Sequence, residues 1–350
     1  MSAGTANPRT PGPMQAIVRR SAGSGFTTEV AAIARPAGAP GASGASGTPN
    51  EALVRPTAAL LTPLEREVAR GLGTDAGGVR IVGTNVVGIV ERAAPGGPPA
   101  GTRVAVHPVA SCGACERCRG GLALHCAQRT ILGIDAACGG LSELIAMPAA
   151  SLVPIPAELD DERATFAVAL ARAMQAVRRG GVDRKTYASI LGDDLVAVLA
   201  TIVAVEENPL ARLVATEPST LRIAEQFGIR HRALHETGRR GDQELVIDTT
   251  GSAETLLAAT RMVRPRGHVV VAGISARSTT PLELPHIALD EIEVLGSGFG
   301  QLAGAVERLA RRVIDPSPLV ARRIALAEAP RALASIGDAG TQAILVQVTR

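Results

Sequence analysis

Cys112-Gly-Ala-Cys115-Glu-Arg-Cys118, followed by seven residues and then Cys126, is the stretch on which the reading of this chain turns. Four of the five cysteines fall here, in a C-x2-C-x2-C-x7-C spacing. Thiolates are soft ligands that zinc holds tetrahedrally. Two-residue gaps let successive sulfurs turn back onto one ion, and the longer gap closes the fourth corner. Gly113, Gly120 and Gly121 supply the tight backbone that such a knuckle needs. A disulfide cluster or unrelated thiols are the competing readings, and the lack of a secretory signal disfavours disulfides. Four thiolates leave no open position for water or substrate. Cys112, Cys115, Cys118 and Cys126 are therefore expected to hold one structural Zn2+ per chain, which ties a lobe together and does no chemistry.

Working outward, 350 residues are enough for two domains with their own cores, and 46% hydrophobic content fits a soluble globular protein. With four Phe, one Tyr and no Trp, those cores must be built from Ala, Val, Leu and Ile. Lys185 is the only lysine, so the positive charge is nearly all arginine. The net charge is +3, and the arginine pairs are scattered among acids, whereas a nucleic-acid binder concentrates them on one face. No nucleic-acid partner is expected. The opening MSAGTANPRTPGP has no apolar core for a signal peptide. The longest apolar run, Leu195 to Val205, is too short for a bilayer, which takes about 20 helical residues. A cytoplasmic protein with no membrane association is the expectation.

Residues 1–13 read as a disordered tail, and Arg35 to Asn50 as a low-complexity surface loop. Strands are expected at Met14 to Val18, Ala52 to Arg55, Val79 to Val90, Thr102 to His107, Gly140 to Met147 and Ser151 to Ile155. An apolar turn, LLTPLEREVARG, follows the second of these. Beyond Pro154 the pattern changes. Asp160 to Arg179 has helical spacing. Strands at Tyr187 to Gly192, Ala211 to Thr216, Glu244 to Asp248 and His268 to Ala272 then alternate with helices at Leu195 to Val205, Pro218 to Phe227 and Ala253 to Val263. Gly228 is placed to stop the second helix. This alternation predicts a parallel, doubly wound sheet, with Glu293 to Leu295 as a further strand and a return to the β-rich domain after Pro316.

With these elements in place, the chain resembles the medium-chain dehydrogenase/reductase family, in its zinc-containing alcohol and polyol dehydrogenase branch. The segments that carry the resemblance are GTRVAVHPVASCGACERCRGGLALHC, TILGI...GGLSELIAMPAASLVPIP, DTTGSAETLLAATRMVRPRGHVVVAGI and DEIEVLGSGFG. It covers nearly everything from residue 14 to 350. It implies an α/β protein with a GroES-like β-rich domain over 14–153, completed by 318–350. A Rossmann-type cofactor domain over 154–317 and a substrate cleft between the two are also implied. So is a homodimer or homotetramer, often joined through the last strand, here Ile292 to Gly296.

The resemblance also implies a second zinc, acting as a Lewis acid on the substrate oxygen. Its ligands in the family are a cysteine in an I-C-G-T-D-like turn, a histidine in a G-H-E segment, and a carboxylate or cysteine after the lobe. Here the turn reads Leu61-Thr62-Pro63-Leu64-Glu65, with Thr62 in place of the cysteine and Leu64 in place of the hydroxyl that relays the proton. The G-H-E segment reads Gly83-Thr84-Asn85. Val168 takes the third position. Threonine hydroxyls and valine make no zinc site of useful affinity, so the catalytic zinc is expected to be absent and no catalytic residue is assigned.

The G-x-G-x-x-G/A fingerprint reads Gly192-Asp193-Asp194-Leu195-Val196-Ala197. The second glycine should let backbone approach a pyrophosphate, and Asp194 there is bulky and like-charged with it. The two aspartates could instead cap the helix themselves. Pointing the other way, Glu217 ends the second strand where an acid accepts hydrogen bonds from the adenosine ribose, and Arg222 lies five residues on. If NAD(H) binds, its contacts are expected at Gly192, Asp194, Leu195, Val196, Glu217 and Arg222, with Glu217 favouring NAD over NADP. Both charges also fit an ordinary helix entry and surface. Cys138, His107 and His125 read as packing residues. Two functions follow: zinc-independent hydride transfer on a small molecule, or a non-catalytic descendant that acts as a binding or assembly protein.

Overall fold

The computed structural model describes residues 13–22, 25–36, 51–73, 80–135, 138–183, 187–237, 241–275, 284–336 and 343–348. The expected tail, save Pro13, and the low-complexity loop beyond Pro36 lie outside these residues.

The β-rich part is a seven-stranded sheet. Its main path runs Leu152–Pro154, Arg103–Val106, Asn85–Arg92, Ala52–Leu61, Ala343–Gln347, Val320–Ala325, and Ile145–Met147 adds to Ala52–Leu61. The pairings are antiparallel except for that of the two C-terminal strands. A three-stranded sheet of Gly25–Ile33, Met14–Ala22 and Arg80–Ile81 lies beside it in the topology. The second part is a six-stranded, wholly parallel sheet. From edge to edge its strands are His231–Ala233, Arg212–Ala215, Ala188–Leu191, Gln243–Asp248, Val263–Val271 and Glu293–Gly296. This 3-2-1-4-5-6 order is the doubly wound Rossmann arrangement. The chain is thus an α/β protein that combines a GroES-like β-rich domain with a Rossmann sheet.

Register places the site. Leu191 lies opposite Val214 on one side and Asp248 on the other, and Asp248 is opposite Val271. The strands therefore end level, and the loops that follow them emerge along one edge, where open α/β sheets bind ligands. Helix Ala167–Gly180 joins the two parts. Its Phe166 to Ala171 segment shares one core cluster with Leu60, Val87 and Ala105 of the β-rich sheet and with Ile190 and Leu245 of the parallel sheet. Arg103 and Thr57 also bond Asp161 at the start of this region, at 2.5 and 2.7 Å.

Several elements differ from the sequence-based expectation. The strand from Ala52 runs on to Leu61, and the supposed apolar turn is helix Pro63–Ala69. Thr62 starts it: its hydroxyl accepts from Leu64 N at 3.2 Å, Glu65 bonds back to the Thr62 N–H, and Pro63 supplies a preset φ. The Val79 to Val90 run is two strands, broken at Gly83. A side chain there would meet Leu141 N at 2.7 Å, and its φ of +116° suits glycine. Asp160 to Arg179 splits into Asp161–Ala164 and Ala167–Gly180, because Thr165 bonds back to the Glu162 carbonyl at 2.6 Å and Phe166 turns into the core. Only Ile145–Met147 of the Gly140 to Met147 run is strand. Strands Gly25–Ile33 and His231–Ala233 were not expected. Both lie at sheet edges, where polar and small residues give little alternation to read.

Candidate functional site

In the cysteine lobe the four sulfurs all lie within 4.8 Å of one another. The Cys112–Cys126 and Cys115–Cys118 contacts are 3.5 Å, Cys115–Cys126 is 3.8 Å and Cys112–Cys118 is 4.0 Å. Four sulfurs on a tetrahedron with metal–sulfur bonds of about 2.3 Å stand about 3.8 Å apart. The knuckle has that size, and every pair is far beyond the ~2.05 Å of a disulfide. Backbone N–H groups of Cys112 and Gln128 donate to Cys126 Sγ at 3.4 and 3.3 Å and fix its orientation. The donor set and spacing fit a zinc ion with no open coordination position. Among the described residues no other group of three or more His, Cys, Asp or Glu side chains converges in this way.

The residues aligned with the catalytic-zinc ligands gather around a carboxylate. Glu65 is fully buried and accepts five hydrogen bonds. Thr62 N and Oγ1 donate to its Oε2 at 2.9 and 2.6 Å. Thr84 N at 3.0 Å, Thr84 Oγ1 and Asn85 Nδ2 at 2.9 Å donate to its Oε1. Asn85 Nδ2 also donates to Thr84 Oγ1 at 2.9 Å. Both lobes of the carboxylate are spent, and both threonine hydroxyls point into it. Val168 is buried and apolar. This donor set does not fit a zinc ion: it offers no thiolate and no imidazole, and its single carboxylate is already saturated. Sequence reasoning named the turn but gave Glu65 no role. The T-x-x-E capping-box spacing was the available signal. Glu65→Ala is expected to destabilise the fold by about 3 kcal/mol, because buried donors on two loops lose their acceptor. Chemical denaturation would measure it, and a change under ~1 kcal/mol would show that the cluster holds little.

The cofactor loop is occupied in a related manner. Asp194 is the N-cap of helix Leu195–Glu207, and its Oδ1 accepts from Ala197 N and from Thr249 Oγ1, both at 2.8 Å. It thus takes the helix N-terminus, the seat that would draw a pyrophosphate. Burial raises its carboxyl above the ordinary range, against the pull of Arg172. Asp193 does not cap the helix. It bonds Thr216 N, Thr216 Oγ1 and Glu217 N, and so pins the loop to the end of the second strand. Gly192 keeps its glycine for a local reason: a Cβ there would meet Thr249 Oγ1 at 2.0 Å.

These loops line a cleft of about 320 Å³, closed on its far side by helix Pro63–Ala69 of the β-rich domain. Ser275 Oγ donates to Glu67 Oε2 across it at 3.2 Å. Of the expected cofactor contacts, Asp194 and Glu217 line the cleft, whereas Gly192 is buried outside the lining, Leu195 and Val196 are buried in the core, and Arg222 is exposed outside the lining. Arg172, which sequence reasoning did not single out, is nearly fully buried and also lines it. An arginine set among Leu170, Ala171 and Ala173, four residues after Val168, was the signal. Asp248 is buried at the end of its strand, with Oδ1 taken by Thr250 and Oδ2 without a protein partner, and burial raises its carboxyl.

His107 packs as expected, whereas His125, also read as a packing residue, is exposed. His107 Nδ1 accepts from Val109 N at 3.0 Å, its Nε2 faces the Gly300 carbonyl at 3.0 Å, and burial lowers its ring below the usual histidine range. Cys138 is partly buried against the β-rich core, and desolvation pushes its thiol up to about 12.

Comparison with known proteins agrees with this architecture. Residues 48–157 match the model of the alcohol dehydrogenase GroES-like domain, and residues 211–315 match that of the zinc-binding dehydrogenase. The chain belongs to the medium-chain dehydrogenase/reductase family, in its zinc-type alcohol and polyol dehydrogenase-like branch. An uncharacterized zinc-type alcohol dehydrogenase-like protein of Haemophilus influenzae is 25% identical over 274 residues, 74% of this chain and 80% of that protein. Sorbitol dehydrogenase of Bacillus subtilis is 27% identical over 248 residues, 67% of this chain and 70% of the enzyme. A putative zinc-binding dehydrogenase from Sinorhizobium meliloti, solved bound to NADP, superposes with a TM-score of 0.78 at 25% identity, covering 95% of this chain and 99% of that one. L-idonate 5-dehydrogenase of Escherichia coli shares the fold with a TM-score of 0.79 at 18% identity, covering 95% and 98%.

Proposed function

We propose that this chain keeps the family's structural zinc at Cys112, Cys115, Cys118 and Cys126, has no catalytic zinc, and uses the interdomain cleft to bind a small molecule without zinc-dependent alcohol oxidation. The observation that carries the reading is the Glu65 cluster. Thr62, Thr84 and Asn85 are turned onto a buried carboxylate at the place where the family's ligands would face a metal. Asp194 supports it from the other side of the cleft, since a capped helix N-terminus offers a dinucleotide phosphate little.

A second reading, zinc-independent NAD(H)-linked hydride transfer, is favoured by Glu217. It stands two residues past the second parallel strand, at the start of helix Pro218–Gln226, and lines the cleft, where it could accept from an adenosine ribose and repel a 2′-phosphate. Titration with NADH, followed by nicotinamide fluorescence, separates the two. The first reading expects no saturable binding at about millimolar cofactor. Saturable binding at about micromolar cofactor would establish the second.

No helix among the described residues is long and apolar enough to cross a membrane. A homodimer or homotetramer through strand Glu293–Gly296 is proposed on the same family grounds, and that strand ends the parallel sheet with its outer edge unpaired among the described residues.

A further inference from the structure

Arg172 stands one helical turn after Val168 on helix Ala167–Gly180, so the two side chains project from one face of it. It is 7% exposed and lines the cleft. Its Nη2 donates to the Ala272 carbonyl at 3.1 Å. A guanidinium carries five N–H donors, and among the described residues no carboxylate makes an ion pair with this one.

Burial lowers the guanidinium below its ordinary range, and two acids at longer range, Asp194 and Glu65, oppose that shift. Both are engaged elsewhere: Asp194 by Ala197 N and Thr249, Glu65 by Thr62, Thr84 and Asn85. They help to keep the arginine charged in a buried place without using its donors. A buried guanidinium with donors facing a cavity calls for acceptors, and its planar fork matches a carboxylate bidentately. The acids that also line the cleft, Glu67, Asp193 and Glu217, outnumber its other cation, Arg66, and oppose a ligand with several negative charges.

We infer that Arg172 is the anchor of a binding site for a small carboxylate bearing a single negative charge, seated in the interdomain cleft. The inference rests on the reading that no metal occupies the adjoining position. The guanidinium then supplies the fixed positive charge that orients the ligand's oxygens, and the acidic rim selects against polyanions.

The test is calorimetric titration of the full chain with propionate and lactate, with inorganic phosphate and citrate as comparators. Saturable binding of propionate or lactate is expected at about millimolar concentration or below, with the comparators weaker. Arg172→Gln should weaken it about tenfold or more. Arg172→Lys keeps the charge and loses the fork, and should weaken it by several-fold with unchanged melting. Wild-type protein that binds neither monocarboxylate up to about 50 mM would overturn the inference. So would equal binding by a folded Arg172→Lys, or tighter binding of citrate or phosphate. Metal analysis of the same samples keeps the two claims apart. Two zinc ions per chain would refute the proposed function, whereas one zinc with no carboxylate binding would refute only this site.

Discussion

Replacing Cys115 by serine is expected to release the zinc and unfold the cysteine lobe, with a loss of about 3 kcal/mol or more of stability. The lobe has little else to hold it. Its helix Glu116–Arg119 has four residues and buries none of them, and Ala123–His125 is a single 3-10 turn. Such a segment cannot offset its ordering entropy by apolar burial. Metal binding free energy is therefore folding free energy here. Structural zinc in small modules contributes about 10–16 kcal/mol over four ligands, which scales to the figure above for one thiolate. A serine hydroxyl is a poor zinc ligand and does not replace it. Zinc content and thermal melting of the purified variant give the answer. Unchanged melting with retained zinc would show that the knuckle is not a metal site.

Asp194→Gly should have the opposite kind of effect, a gain of dinucleotide affinity. In the wild type, Asp194 takes the Ala197 N–H and the Thr249 hydroxyl, and its side chain fills the space that a second glycine would leave open. Removing it frees an N-terminal donor of helix Leu195–Glu207, removes a like charge and lets backbone approach a pyrophosphate. The helix loses its cap, at a cost of a few tenths of a kcal/mol for a glycine replacement. Against that, NADH affinity should rise about 100-fold, or about 2.7 kcal/mol. The same fluorescence titration would read it. No gain in a folded Asp194→Gly would mean that the cleft is closed to the cofactor for another reason, such as the Ser275–Glu67 contact across it.

How much of this was legible in the chain depends on what kind of signal each residue leaves. The cysteine spacing and the strand–helix alternation are local and periodic, and both pointed to an α/β protein of GroES-like and Rossmann parts. The alignment positions Thr62, Thr84 and Val168 could be read as non-ligands, because chemistry excludes metal binding by residue type. What these residues bond to instead could not be read that way. Glu65 lies three residues from Thr62 but nineteen from Thr84, and only the fold brings both to one carboxylate. Asp193 and Asp194 looked equivalent as caps. The structure separates them, because Asp193 reaches the second strand through contacts 23 and 24 residues away. Leu195 and Val196 follow the fingerprint by position but face the core, since the helix that starts there is apolar nearly all round. Arg172 left only a charge in an apolar stripe, and its neighbours Asp194 and Glu65 come from both domains.

The most direct test of the account is the zinc content of the full chain after saturation with zinc and removal of loosely bound metal, measured by mass spectrometry against protein concentration. The account predicts one zinc per chain, falling toward none in Cys115→Ser. Two per chain would contradict it, because the second ion would have to displace the bonds that Thr62, Thr84 and Asn85 make to Glu65.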